Sequence, residues 1–244
     1  MRNIIVTGGS RGLGLGIARK LKNSGYLVIA IARKETEQLI SAIQESEPGC
    51  TVSIHFVPFD LTEVDKIPEL TANLRKQFGS IYGLVNNAAL GSDGVLALMR
   101  NSQIEQLVRL NTLSPIILTK YVVGSMVADG GGRIVNIASI VASTGYSGLS
   151  VYAATKASML GFTRSLAREV GKMKVNVNSV APGFVDTEMT HGLTAEKRDQ
   201  IIRRSALRRL SDIEDIANAV EFLLGDKAKN ITGTVLTVDA GNTA

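Results

Sequence analysis

The feature that most constrains the fold is an alternation. Short runs rich in Ile and Val recur along the chain, separated by longer stretches with helical spacing. The runs predict strands at Ile4–Thr7, Leu27–Ala32, Val52–Pro58, Tyr82–Asn86, Arg133–Ala138, Val175–Ala181 and Thr234–Asp239. Between them the spacing predicts helices over Leu13–Ser24, Glu35–Glu47, Glu63–Phe78, Gln103–Met126, Val151–Val170 and Ile213–Leu224. In the first helix Leu13, Ile17 and Leu21 share a face, and Gly25 suits a C-cap. Pro68 points to an irregular start of the third. Most of the strand runs are continuously apolar, as strands covered on both faces are. The pattern therefore predicts an α/β fold: a Rossmann-like doubly wound parallel sheet of about seven strands with helices on both faces.

The chain has 244 residues, which α/β folds often accommodate as a single unit. No repeat, linker or low-complexity segment divides it, so one domain over residues 1–244 is expected. The charged stretch Gly183–Leu210 lacks a clear period and is expected to be irregular, an insertion lying over a site. With 45% hydrophobic and 20% charged residues, the composition excludes disorder. A single cysteine, Cys50, excludes an intrachain disulfide framework. His55 and His191 are far apart, and no metal site is expected.

The opening apolar run breaks at Gly8, too soon for a signal-peptide core, and no run approaches the roughly 18 apolar residues of a membrane span. The expectation is a cytoplasmic protein without a membrane partner. A net charge of +5 favours acidic or phosphorylated ligands. With no Trp and 5% aromatic residues there is little to stack on bases, and no nucleic-acid partner is expected.

The first strand runs into Thr7-Gly8-Gly9-Ser10-Arg11-Gly12-Leu13-Gly14 and then a helix. Glycines at 8, 12 and 14 permit left-handed backbone and close approach of a ligand. A helix N-terminus aims free N–H groups and partial positive charge at an anion. In strand–turn–helix context this reads as a pyrophosphate site. The second strand ends Ala32-Arg33-Lys34, where NAD-binding sheets place an acid for the ribose 2′-OH. Arg33 and Lys34, with Arg11, suit a 2′-phosphate instead, so NADP(H) is the expected cofactor.

Tyr152 and Lys156 lie four apart in a predicted helix and so share a face. A nearby ammonium favours phenolate and is expected to lower the Tyr152 pKa, making a proton-transfer pair. Ser139 follows the fifth strand, and Asn111 lies in the helix after the fourth.

With the glycine loop, Asn86-Asn87-Ala88-Ala89 after strand four, the set Asn111, Ser139, Tyr152 and Lys156, and Pro182-Gly183 after strand six, the chain resembles the short-chain dehydrogenase/reductase superfamily over essentially its whole length. Within it the nearest likeness is to the 3-oxoacyl-(acyl-carrier-protein) reductases, through residues 10–14, 165–170 and 180–189. The resemblance implies a role for each matching residue. Tyr152 would give a proton to a substrate carbonyl oxygen, and Ser139 would hydrogen-bond it. Lys156 would bind the nicotinamide ribose, and Asn111 would hold a water. Asp60 and Leu61 would flank the adenine. Asn87 and Ala88 would line the adenosine side, and Val185 and Thr187 would hold the carboxamide. It also implies a homotetramer packed through Gln103–Met126, Val151–Val170 and Thr234–Asn242.

Three departures stand out. Ala89 and Ala240 occupy positions where the family has glycine; at Ala89 the methyl would weaken cofactor binding if the backbone is left-handed there, and Ala240 bears on assembly more than on chemistry. Positions that dock an acidic carrier protein beside the active-site mouth fall at Gly130 and Met173, with Arg133, Lys172 and Lys174 nearby as replacements.

The expected activity is NADPH-dependent reduction of a 3-oxoacyl thioester, carried on acyl carrier protein or CoA, to the (3R)-hydroxyacyl product, as in fatty-acid synthesis. The alternatives are a dehydrogenase or reductase of a free ketone, alcohol, sugar or steroid, and a catalytically idle cofactor-binding regulator. The basic stretch from Glu196 to Arg209 is either a solvated face or an attractor of CoA or phosphopantetheine phosphate.

Overall fold

The computed structural model describes residues 2–45, 52–185 and 194–244. Seven parallel strands lie in the order β3-β2-β1-β4-β5-β6-β7. They are β1 Asn3–Thr7, β2 Leu27–Ala32, β3 Ile54–Pro58, β4 Ile81–Asn86, β5 Gly132–Ile137, β6 Val175–Pro182 and β7 Val235–Val238. Each falls within two residues of its predicted bounds.

Successive residues of a strand point to opposite faces, and both faces here are apolar. Ile4 and Val6 join one core, with α1 (Gly12–Asn23), α2 (Glu37–Gln44) and α9 (Ile213–Leu224). Ile5 joins the other, with α3 (Ile67–Phe78), α5 (Ser114–Ala128) and α7 (Ser150–Val170). The strand order reverses direction at β1, between β2 and β4. That switch point opens a crevice at the carboxyl ends of the strands, where ligands bind in doubly wound sheets.

Several elements differ from expectation. α2 begins at Glu37 because the Thr36 side chain caps it, accepting from the Leu39 N–H. Pro68 sits in the first turn of α3, which follows a short 3₁₀ turn, Val64–Lys66. The region expected to run as one helix from Gln103 is α4 (Asn101–Val108), a π turn (Arg109–Leu113) and α5. A short helix, α6 (Val141–Thr144), was not expected. The stretch Gly183–Leu210, expected to be irregular, contains a helix, α8 (Ala195–Arg204). Thr194 caps it and Ile201 anchors it; a single buried side chain gives too weak a period to see in sequence. Cys50, Thr187 and His191 lie outside the described residues. Among the described residues no helix is long and apolar enough to cross a membrane.

Candidate active site

The residues singled out above sit in loops that leave the carboxyl ends of β1 to β6, or on the helices that follow them. At the end of β1 the chain turns through Gly8, whose φ of +67° is left-handed, so a side chain there would be strained. Gly14 is needed for a different reason. A Cβ there would lie 2.1 Å from the Gly8 carbonyl oxygen and 2.5 Å from Asn87 Nδ2. Arg11 precedes α1 without capping it through its side chain, and no acid occupies the first turn. The helix start is thus electropositive and open to an anion.

Thr7 fastens this loop to the segment after β4. Its hydroxyl accepts the N–H groups of Asn87 and Ala88 at 2.9 and 3.0 Å and donates to the Val85 carbonyl at 3.2 Å. Asn87 Nδ2 donates back to the Thr7 carbonyl at 2.9 Å. Ala89 is not left-handed, so its methyl carries no backbone penalty. Sequence reasoning gave Thr7 no role. The signal available was a small hydroxyl residue directly before the glycines.

At the ends of β2 and β3, Arg33 and Asp60 are neighbours. Burial pushes the Asp60 carboxyl up, but hydrogen bonds from the Thr62 N–H and hydroxyl and the Arg33 charge outweigh it, leaving the carboxyl below its usual range. Leu61 is buried beside it, and its carbonyl accepts the Ser114 hydroxyl at 2.5 Å. Ser10 is tied to the start of α2 by the Thr36 hydroxyl, also at 2.5 Å. Arg33 and Lys34 are exposed.

Ser139, Tyr152, Lys156 and Asn111 converge as expected. Ser139 follows β5 and hydrogen-bonds the Tyr152 hydroxyl. Lys156, on the same face of α7, is buried, donates to the Ile137 carbonyl at 2.8 Å and lies 5.8 Å from the Tyr152 ring centroid. The expected lowering of the Tyr152 pKa is not what this geometry gives. Burial pushes the phenol up to about 12, only partly opposed by the Ser139 hydrogen bond, and burial pulls the Lys156 ammonium down to about 8. Desolvation is the largest cause of both shifts.

Asn111 sits in the π turn, an irregularity common at functional sites. Its side chain makes three hydrogen bonds. Oδ1 accepts the Leu90 N–H at 2.8 Å, while Nδ2 donates to the Leu90 carbonyl at 2.8 Å and to Thr155 Oγ1 at 3.2 Å. Thr155 in turn donates to the Tyr152 carbonyl at 2.7 Å. Asn111 thus braces α7 and the loop after β4 against each other, and Thr155 is a second link that sequence reasoning missed.

After β6, the Pro182 carbonyl accepts the Ile140 N–H at 3.0 Å, which brings this loop beside Ser139. Gly183 leaves no room for a side chain, since its Cβ would lie 2.7 Å from Asp239 Cβ. Val185 is buried and bridges Ser211.

Arg133, Lys172 and Lys174 are not beside this crevice. They lie at the amino ends of β5 and β6, the opposite end of the sheet from Ser139. Arg133 also bonds Asn176 Oδ1 at 3.0 Å and faces the Tyr82 ring. In a parallel sheet the two strand ends cannot share one mouth, so within one chain these cations are no substitute at the crevice.

Known proteins share this chain's sequence pattern and fold. Residues 2–198 match the short chain dehydrogenase family. The chain is 38% identical to a 3-oxoacyl-(acyl-carrier-protein) reductase of Haemophilus influenzae, covering 97% of this chain and 96% of that one. The Escherichia coli protein of the same name is 36% identical, with coverage of 97% and 95%. A gluconate 5-dehydrogenase from Burkholderia cenocepacia, solved in complex with NADP and tartrate, superposes with a TM-score of 0.93 at 26% identity, covering 99% of this chain and 95% of that one.

Proposed function

The chain belongs to the short-chain dehydrogenase family and is an oxidoreductase; on that premise we propose that it reduces 3-oxoacyl thioesters to 3-hydroxyacyl thioesters with NADPH. The observation that carries the substrate is similarity at 38% identity, over nearly the full length, to a reductase of that name. The chemistry is supported by the Ser139–Tyr152–Lys156 arrangement.

The residues present fit the cofactor. The start of α1, which has no side-chain cap and which Gly14 lets pack closely against the Gly8 turn, suits a pyrophosphate. Arg33 and Lys34, exposed with no acid before Glu35, suit a 2′-phosphate better than a 2′-hydroxyl. Asp60 and Leu61 hold the adenine side. Pro182, Gly183 and Val185 hold the nicotinamide side, together with Thr187. NADPH, when bound, supplies the hydride.

Tyr152 gives the proton. At about 12 its pKa keeps it protonated through the neutral range, the state in which a phenol can donate to a carbonyl oxygen. Ser139 donates to the same oxygen and fixes its position. Lys156 is a cation only below about pH 8, where it favours the developing phenolate and binds ribose hydroxyls. Asn111 acts through its side-chain brace on Leu90 and Thr155, which leaves the main chain of the π turn to hold a water.

The single unit 1–244 assembles, in this reading, as a cytoplasmic homotetramer packed through α4–α5, α7 and β7. Exposed Val108 and Leu113 supply apolar contact there. Sedimentation as a monomer at micromolar concentration would refute that assembly.

The test is loss of NADPH absorbance with acetoacetyl-CoA, beside NADH and beside 5-ketogluconate. Turnover of the thioester with NADPH is expected. Activity confined to the free keto acid would place the chain with sugar-acid dehydrogenases like its structural neighbour. Cofactor binding without turnover of any substrate would favour the idle regulator.

A further inference from the structure

At the end of the sheet away from the crevice, the amino ends of β5 and β6 and the turn before β7 enclose a cleft of about 510 Å³. Small-ligand sites have volumes of this order. Three cations line it, Arg133, Lys174 and Lys229, together with Asn176, Asn230 and Thr232; no acid does. The walls are braced from within. Asn176 Nδ2 donates to the Lys229 carbonyl at 3.0 Å and to the Ile231 carbonyl at 2.8 Å, while its Oδ1 accepts from Arg133 at 3.0 Å. The Thr232 hydroxyl accepts the Val177 N–H at 3.1 Å. One amide side chain thus fixes the arginine and the turn opposite it.

The charge in this cleft is not compensated. Arg133 is partly buried, and its guanidinium faces the Tyr82 ring at 5.9 Å. Nη1 makes both of its hydrogen bonds, to the Gly132 carbonyl at 3.1 Å and to Asn176, and both acceptors are neutral. Nε is buried without a partner among the described residues. A guanidinium drawn out of water is costly unless an opposite charge meets it. Asp226 lies close enough to feel Arg133 and Lys229, but it is bonded to Arg2 at 2.9 Å and its side chain is 71% exposed. Arg2 and Asp226 cancel, which leaves three cations around the cleft.

Lys174 adds an independent sign. Its φ is +61°, a left-handed conformation that glycine adopts freely and a lysine does not. Its carbonyl accepts the Gly132 N–H at 3.2 Å, so the turn is tied to β5. Strain of this kind clusters where a side chain is put to use. We propose that this cleft binds a small multivalent anion, a phosphate or a carboxylate, through Arg133, Lys174 and Lys229. The arginine fork and two ammonium groups suit oxygens carrying more than one negative charge. The site is separate from the glycine loop, and the inference does not depend on the thioester reading.

Calorimetry tests it by titrating pyrophosphate and, separately, citrate into the full chain saturated with NADP⁺, so that the glycine loop is occupied. One anion per chain is expected, with a Kd below about 1 mM at low salt and at least about tenfold weaker binding at 0.2 M salt. Tighter binding of pyrophosphate would mark a phosphorylated ligand, and tighter binding of citrate a polycarboxylate. Arg133→Gln should weaken binding about tenfold. Lys174→Gly removes a charge and the left-handed side chain together, so it should weaken binding severalfold while the melting temperature holds or rises. That variant decides the matter if Arg133→Gln, which also loses bonds within the fold, does not fold. Lys197→Gln, an exposed lysine on α8, should leave binding unchanged. Failure of both anions to bind, or binding that Arg133→Gln and Lys174→Gly do not move, would overturn the inference and leave the reductase reading untouched.

Discussion

The glycine loop after β1 and the loops after β4 and β5 leave the same end of the same sheet, yet they are built by opposite means. The first is shaped by backbone. Positive φ at Gly8, the contact that Gly14 makes with its carbonyl, and the Thr7 hydrogen bonds to residues 87 and 88 leave tolerances of tenths of an ångström. The second is shaped by side chains projecting into water, joined by one main-chain hydrogen bond between Gly94 and Gly148 and one ring contact between Tyr146 and Phe184. A phosphate chain is recognised by main-chain N–H groups, so any added atom is an error. Loops joined by so few contacts accept many side chains. The two loops should therefore respond differently to substitution.

The largest effect belongs to the proposed proton donor, Tyr152. Tyr152→Phe removes the proposed donor to the carbonyl oxygen, and kcat should fall by about 10³, or roughly 4 kcal/mol. The melting temperature should move by only a few degrees, because the ring stays and one hydrogen bond goes. A kcat within tenfold of the parent would remove Tyr152 from the mechanism.

Next in size is Gly14→Ala. In an ordinary helix this exchange stabilises by about 1 kcal/mol. Here the new methyl would overlap the Gly8 carbonyl, a backbone atom that cannot swing aside, so about 3 kcal/mol of destabilisation or a hundredfold loss of NADPH affinity is expected. Denaturant unfolding and a cofactor titration distinguish the two outcomes. Leu98→Ala, on the other kind of loop, should change stability by less than about 0.5 kcal/mol. Equal responses at the two sites would break the comparison.

Lys156→Met sharpens it from the side of stability. The folded pKa of about 8 lies below the ordinary 10.5, so the unfolded chain binds more protons between those values. Stability should climb as pH rises from about 8 to 10.5, and the full penalty, roughly 3 kcal/mol, is present below pH 8. Methionine removes that penalty but also the hydrogen bond to the Ile137 carbonyl, worth about 1 kcal/mol. A net gain of about 2 kcal/mol at neutral pH is expected, with activity lost. The parent's reduction rate should fall as pH passes 8, where Lys156 loses its proton. A variant less stable than the parent at pH 7 would show that the buried ammonium is not a burden.

What was legible in the sequence follows the same division. Strands apolar on both faces and glycines that admit no side chain leave marks at fixed positions, so the sheet and the tight glycine turn after β1 could be read directly. Tyr152, Lys156 and Ser139 could be paired because α7 and the end of β5 are regular. The π turn could not, because its extra residue has no signature, and the brace that Asn111 makes to Leu90 exists only through it. The direction of the Tyr152 shift was also hidden, since burial is set by neighbours far along the chain. α8 was missed because it turns almost wholly charged faces to water.

The two alanines at expected glycine positions give the smallest and cleanest test. Ala240 has φ +55°, whereas Ala89 is not left-handed. The Ala240 conformation is fixed from both sides. Its carbonyl accepts the Leu207 N–H at 3.0 Å, and the next residue, Gly241, donates to Asp239 Oδ1 at 2.9 Å and accepts the Ala206 N–H at 3.2 Å. An L-residue held there costs about 1–2 kcal/mol, while glycine loses roughly 0.5–1 kcal/mol more chain entropy on folding. Ala240→Gly should therefore stabilise by about 0.5–1 kcal/mol, raising the melting temperature by about 2 °C. At residue 89 there is no strain to relieve, so Ala89→Gly meets only the entropy term and should destabilise by a similar amount. Opposite signs would show that the backbone at each site, not the family pattern, decides whether glycine is needed. The same sign at both would mean that the left-handed turn at Ala240 relaxes at little cost.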